Sequence, residues 1–400
     1  MARNRHGKSG ANRQAMAASS LEQLYALALD HVEQSQPAEA LVVAKQLWGL
    51  VKDRPSAIQK LPALNLLGDI SIELGAVDSA RGYFELAVRL DPEGQVPEAL
   101  GGGAEKFLWL AQLCDEGGKQ SVEWFEKGVQ ALQTEIAAIE GGGITGLSEE
   151  QLLLMRVEKK RKLANALCGI VEVYMTDLSW EGDAEARCES LVTQAMTVED
   201  ETSPEVLQTL ASVRLSQERK EDAQSALKRS LETWIELESE DEAVPDFPTK
   251  ISLARLLMEA DLLDQAMQVC HRLIQEDDQS VEAWYLGGWC QYLLAQHNKA
   301  DNDLANDSAM DTGAGDQSAA VYHRALKGSR RWLKMSTKLY ERQQYEDDRL
   351  FEHAEELVAG LDTVLGPEDE QAEGGVEDDE DEWEGIEDDH AGEDEEMQDS

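Results

Sequence analysis

The chain has 400 residues, 42% of them hydrophobic, enough for two or three ordinary domains or one elongated repeat array with a continuous core. Its 36 Lys and Arg stand against 81 Asp and Glu, a formal charge of −45 that repels nucleic acid and anionic lipid and favours a cationic partner. No apolar run approaches the ~20 residues of a membrane span, and the first twenty residues lack the apolar stretch of a secretory signal. The five cysteines are scattered singly without a CxxC pair, which points away from zinc and from a disulfide framework and toward reduced, buried thiols in the cytoplasm, the nucleus or both.

In chain order, residues 1–14 carry Arg3, Arg5, Lys8 and Arg13 with no acid, and residues 1–19 are expected to form a disordered basic tail. Periodic apolar patterns then run over residues 20–366. Ala28 and Ala40, twelve apart, mark a first helix pair with Leu24, Leu27 and Leu47. Residues 61–94 fit the 34-residue tetratricopeptide pattern in register: Leu64, Leu67 and Gly68 in the first helix, Ala80, Phe84 and Ala87 in the second, and Asp91-Pro92 at the close. The spacing has a mechanical basis, since small residues at 68 and 80 let two helices cross closely and Phe84 fills the gap to the next unit.

A looser third unit spans residues 104–130 with a shortened inter-helix turn, and a fourth spans 156–198 with an expanded one. Ala211 and Ala223 set a fifth, and Ala254 and Ala266 a sixth. The seventh begins at Trp284-Tyr285-Leu286-Gly287-Gly288, its helices split by the polar stretch from Asn298 to Gln317, and a last helix is expected at about residues 336–360. From residue 367 to 400 there are 19 Asp or Glu and no Lys or Arg, the composition of a disordered acidic tail. The fold expected is therefore all-α: a tetratricopeptide-repeat solenoid of about seven helix pairs plus a terminal helix.

No constellation for catalysis, metal or cofactor is legible. Histidines are isolated, and Gly101 to Gly103 and Gly141 to Gly143 fall between helical segments with no GKS or GKT beside them. What a repeat array offers is surface, on the concave side lined by the first helix of each pair. Projecting the second, fifth, ninth, twelfth and thirteenth positions of a unit gives Glu22, Tyr25, Leu29, Val32 and Glu33 in the first and Asn65, Asp69, Ile72 and Glu73 in the second. The third contributes Glu105, Leu108, Gln112, Asp115 and Glu116, and the seventh Glu282, Tyr285, Trp289 and Tyr292. Acids interleaved with aromatics suit Lys and Arg, whose charges pair with carboxylates while their stems or guanidinium planes lie on rings. Packing against the terminal helix is the alternative role for Tyr285, Trp289 and Tyr292.

The repeat array, the segment YMTDLSWEGDAEARCESLVTQAM from Tyr174 to Met196, the helix from Pro204 to Trp234 and the acidic tail together resemble the fungal tetratricopeptide-repeat assembly chaperones dedicated to large-subunit ribosomal protein four. The likeness covers nearly the whole chain from about residue 20. It implies a protein that captures its newly made basic client, shields that client's extended internal loop and accompanies it to nuclear pre-ribosomes. It also implies a monomer bound one-to-one, with no direct contact to nucleic acid or membrane. Two other classes stay open. A general adaptor or heat-shock cochaperone would need a Lys and Arg clamp where this chain has mostly acidic or apolar positions, Arg255 excepted; a histone-type chaperone would bind chiefly through the acidic tail.

Overall fold

The computed structural model describes residues 6–366 apart from residue 145, residues 200–202, residue 242 and residues 307–314, with backbone alone at 6–19, 300–306 and 315–320. Fifteen α-helices and no strand occur among the described residues. They are α1 (His6–Glu33), α2 (Pro37–Val51), α3 (Leu61–Glu73), α4 (Val77–Leu90), α5 (Glu105–Gln112), α6 (Gly118–Glu140), α7 (Glu149–Met175) and α8 (Ala184–Val198), followed by α9 (Pro204–Ser216), α10 (Lys220–Glu232), α11 (Phe247–Glu259), α12 (Leu263–Glu276), α13 (Val281–Asn306), α14 (Gly315–Gln343) and α15 (Asp348–Leu365). Residues to Cys290 form one compact unit and residues from Gln291 a second.

From α1 to α12 each helix packs on the next, and first helices of adjacent pairs also meet, α7 on α9 and α9 on α11. Local chemistry sets the boundaries. Pro204 and Pro248 sit in the first turns of α9 and α11, where a missing N–H costs nothing, and the caps Ser203 and Asp246 accept from Val206 N at 3.4 Å and Thr249 N at 2.9 Å. The turn inside four of the pairs uses one left-handed residue at the same place in the unit: Ser35, Gly75, Glu218 and Asp261, with φ of 55°, 66°, 59° and 57°. That shared position reverses the chain in the same way each time, so the helix pairs keep one geometry.

The small residues do the work their spacing implies. A Cβ on Gly68 would collide with the ring of Phe84, and that ring in turn stacks on Trp109 of α5, with centroids 6.2 Å apart. Phe84 thus joins its own pair to the next. The device recurs where the unit spacing is looser, with Gly169 of α7 lying against the ring of Phe125 and Gly128 against Leu108.

Asp91 closes the second unit by accepting from Gln95 N at 2.9 Å and Val96 N at 3.2 Å and by pairing at 2.9 Å with Lys106, whose side chain is wholly buried. Lys106 also donates to Gly103 O at 2.6 Å, so the glycine segment expected as a plain linker is tied into the core.

Three expectations differ from what is observed. Helix α1 starts at His6, inside the stretch assigned to a tail at residues 1–19; Ala11, Ala15, Ala17 and Ala18 give that stretch strong helix propensity. The single last helix expected at about 336–360 is the end of α14 plus α15, because Gln344 takes φ 53° and Asp347 caps a new helix by accepting from Leu350 N at 3.1 Å. The polar stretch from Asn298 to Gln317 does not split α13 and α14 over its whole length, since α13 continues to Asn306 and α14 begins at Gly315. The acidic tail at residues 367–400 lies outside the described residues.

Candidate functional site

On the first-helix side, α1, α3 and α5 bring acidic and aromatic side chains together. Tyr25, Asp69 and Glu73, all projected from the repeat register, come together there with Glu105 and Trp109. Asp69 keeps part of its surface in water, yet the surrounding protein withdraws enough solvent to push its carboxyl up to about 7; the negative charges of Glu105 and Glu73 push the same way, and a hydrogen bond from Trp109 opposes them. Burial, with Asp69 alongside, also raises the Tyr25 hydroxyl. Asp69 thus sits in a partly desolvated place whose nearest charged neighbours are acids. Part of the compensation comes from Lys162 of α7, which pairs with Glu105 at 2.5 Å and Glu158 at 3.0 Å.

The remaining projected residues are placed variously. Glu22 and Glu33 are exposed on α1, Glu33 at its last position, and Gln112 is exposed at the last position of α5. Asn65 donates to Gly101 O at 3.0 Å, so its amide braces the glycine turn. Asp115 and Glu116 fall off the helix expected to carry them: α5 is only eight residues long and stops at Gln112. Asp115 instead accepts from Arg81 of α4, which also donates to Leu113 O at 2.9 Å. Glu282 pairs with Arg255 of α11. Tyr285 is buried and its ring lies 5.8 Å from that of Trp289, while Tyr292 is half-buried. These aromatics are partly core, whereas Asp69 and Glu73 are exposed and lie together with Glu105, Tyr25 and Trp109.

Sequence projection missed Trp109, which lies beside a projected position rather than on one, and missed the middle of the array, where α5, α7, α9 and α11, with Phe125 of α6, line an open cavity of about 600 Å³. Gln208, the fifth residue of the unit that starts at Pro204, lines it; the same offset that gives Asn65 in the second unit would have found it. Among the described residues no cluster of three or more His, Cys, Asp or Glu could hold a metal, and no helix is long and apolar enough to cross a membrane.

Comparison with known proteins adds three findings. The tetratricopeptide repeat family model matches residues 61–93, the stretch whose register is legible by eye. A protein of Emericella nidulans named "Probable assembly chaperone of rpl4" is 47% identical over 360 residues, covering 89% of this chain and 86% of its own, and one of Schizosaccharomyces pombe with the same name is 30% identical, covering 84% and 91%. A solved structure of the assembly chaperone of RpL4 (Acl4), residues 1–338, superposes with a TM-score of 0.63 at 46% identity, covering 70% of this chain and 99% of that one.

Proposed function

The chain belongs to the family of assembly chaperones of rpl4, and from that membership we propose that it holds an extended basic segment of rpl4 along the acidic face of its first helices. The protein is a dedicated chaperone of tetratricopeptide-repeat type, and its client is ribosomal protein L4. The relatives' names and the repeat fold point to binding rather than catalysis.

The observation that carries the reading of the face is the Tyr25, Asp69, Glu73, Glu105 and Trp109 group on three successive first helices. A Lys or Arg of the client placed there supplies the missing positive charge, and the rings take its stem or guanidinium plane. The segment so held is the client's internal loop, the complex is one-to-one, and the same net charge of −45 that attracts it keeps the chaperone itself off RNA. The chaperone meets its client in the cytoplasm and releases it in the nucleus on pre-ribosomes. A cochaperone clamp for acidic peptides is disfavoured because Arg255, the cation that such a clamp would use, is already paired with Glu282.

The test is rpl4 affinity, measured by titration with purified protein, for the chain carrying Asp69→Lys and Glu73→Lys together. Exposed ion pairs are worth about 0–1 kcal/mol each, so either change alone does little, whereas the double reversal repels the client and removes binding with the helical signal intact. Deleting residues 367–400 weakens binding modestly. Undiminished binding by the double reversal, with binding abolished by the tail deletion alone, would make the tail the receptor.

A further inference from the structure

The cavity between α5, α7, α9 and α11 lies on the first-helix side, away from the α1, α3 and α5 carboxylates, and its walls include Gln112, Asn165, Glu172, Gln208, Ser212 and Ser252. It is open to solvent on one side, and at about 600 Å³ it falls in the size range of ligand-binding clefts and far exceeds the space one water needs. One wall residue is unusual: Gln208 is 5% exposed, and its Nε2 has no hydrogen-bond partner among the described residues. Buried amide donors without acceptors are rare because each forfeits its bond to water without replacement. The Nε2 atom itself is sealed from solvent, so it is a half-turn of the terminal amide that brings the N–H₂ to the cavity, and no existing Nε2 bond is lost when it moves.

What the wall lacks is an acceptor, and what an extended peptide carries at every residue is a carbonyl. Glu172, on the same wall, has no cation partner among the described residues, and its carboxyl is raised by burial. A segment carrying both a main-chain carbonyl and a nearby positive side chain therefore complements the two groups together. We infer that the cavity is a main-chain reading subsite: the client segment runs through it in extended form, one of its backbone carbonyls accepts from Gln208 Nε2, and a Lys or Arg next to that carbonyl pairs with Glu172. The inference rests on the reading of the first-helix side as the client-binding face. It adds recognition of the backbone, which is independent of client sequence, to the recognition of charge at the α1, α3 and α5 group.

Two variants of the full chain test it against purified rpl4. Gln208→Leu keeps the side-chain volume and removes the donor; it is expected to weaken binding about tenfold, the loss of one well-made hydrogen bond, with a melting temperature equal to or above the parent's because an unpaired buried donor is gone. Ser252 is exposed on α11, so Ser252→Trp fills the cavity without touching the core and is expected to reduce binding more strongly, again with the melting temperature kept. Parent-like binding by a folded Gln208→Leu overturns the carbonyl assignment. Parent-like binding by Ser252→Trp overturns the cavity as part of the path and decides the matter should Gln208→Leu fail to fold. If both bind normally while the Asp69→Lys and Glu73→Lys reversal does not, the subsite is wrong and the face is right; if the reversal also binds normally, the reading of the face is what fails.

Discussion

Asp69→Asn is the most discriminating single change, because it removes a charge while keeping the side-chain shape and an oxygen for the Trp109 hydrogen bond. In the folded chain the Asp69 carboxyl ionises at about 7 against an ordinary value of 3.8. A carboxyl raised on folding contributes stability that is present at low pH and lost as pH rises through its folded-state value, so the parent weakens between about pH 4 and pH 7. Full shielding would make that loss about 4 kcal/mol, but water reaches Asp69 and screens it to about 1 kcal/mol.

The Asn variant has nothing to titrate there, so it is expected to melt above the parent at about pH 8 and level with it at about pH 4. Binding moves in the opposite sense. A client cation favours the ionised form, so the parent's affinity for rpl4 rises by up to about threefold from about pH 6 to pH 8 as the free carboxyl loses its proton, the size expected of one exposed ion pair, and the variant lacks that rise. The assay is a calorimetric or fluorescence titration at constant ionic strength on both proteins, and the difference between them cancels the client's own titrations. Equal slopes with pH would show that no cation of the client reaches Asp69.

Three further outcomes test the architecture. Gly68→Leu drives a side chain into the Phe84 ring and should cost about 1–3 kcal/mol in denaturant unfolding, whereas an unchanged midpoint would mean that the α3–α4 register is misassigned. Gly75→Ala and Gly82→Ala should differ in sign although neither Cβ meets an atom within 4 Å: the first forces alanine into φ 66° and loses about 1 kcal/mol, and the second removes a helix-interior glycine and gains about 0.5–1 kcal/mol. Lys106→Ala strands the buried Asp91 carboxylate and should cost about 3–5 kcal/mol, while Lys106→Ala combined with Asp91→Ala should cost less than the sum of the two single changes.

Much of the fold is legible because tetratricopeptide units encode their packing in a few residues at fixed offsets. Gly68 and Phe84 fix one unit outright, and Ala28 with Ala40, Ala211 with Ala223 and Ala254 with Ala266 carry the offset along the chain. Legibility fails where length departs from the norm. A projection that assumes a full first helix puts Asp115 and Glu116 on α5, but that helix ends after eight residues, and Arg81 claims Asp115 for the α4–α5 contact. The candidate site is legible in part for a different reason. Register says that Tyr25, Asp69 and Glu73 share a side, but whether an acid there is balanced depends on what other helices bring, and Lys162 reaches Glu105 from α7 across 57 positions of sequence. Gln208 was hidden by the same limit, since an amide looks unremarkable until its neighbours' hydrogen bonds are accounted for.

The two unusual groups on the first-helix side cost the free chaperone stability in different ways. Asp69 is a carboxylate held near others without enough cations, and Gln208 Nε2 is a buried donor without an acceptor. A sequence under selection for stability alone could remove both with single substitutions, Asp69→Asn and Gln208→Leu, that preserve volume. Their deficits are complementary: one lacks a positive charge and the other an acceptor. An extended Lys- or Arg-rich peptide carries both along its length, whereas a free cation satisfies only the first and an acidic peptide cannot satisfy it. The pairing of deficits therefore favours a basic polypeptide as the occupant over an inorganic ion, and it places charge recognition and backbone recognition at different points along one face.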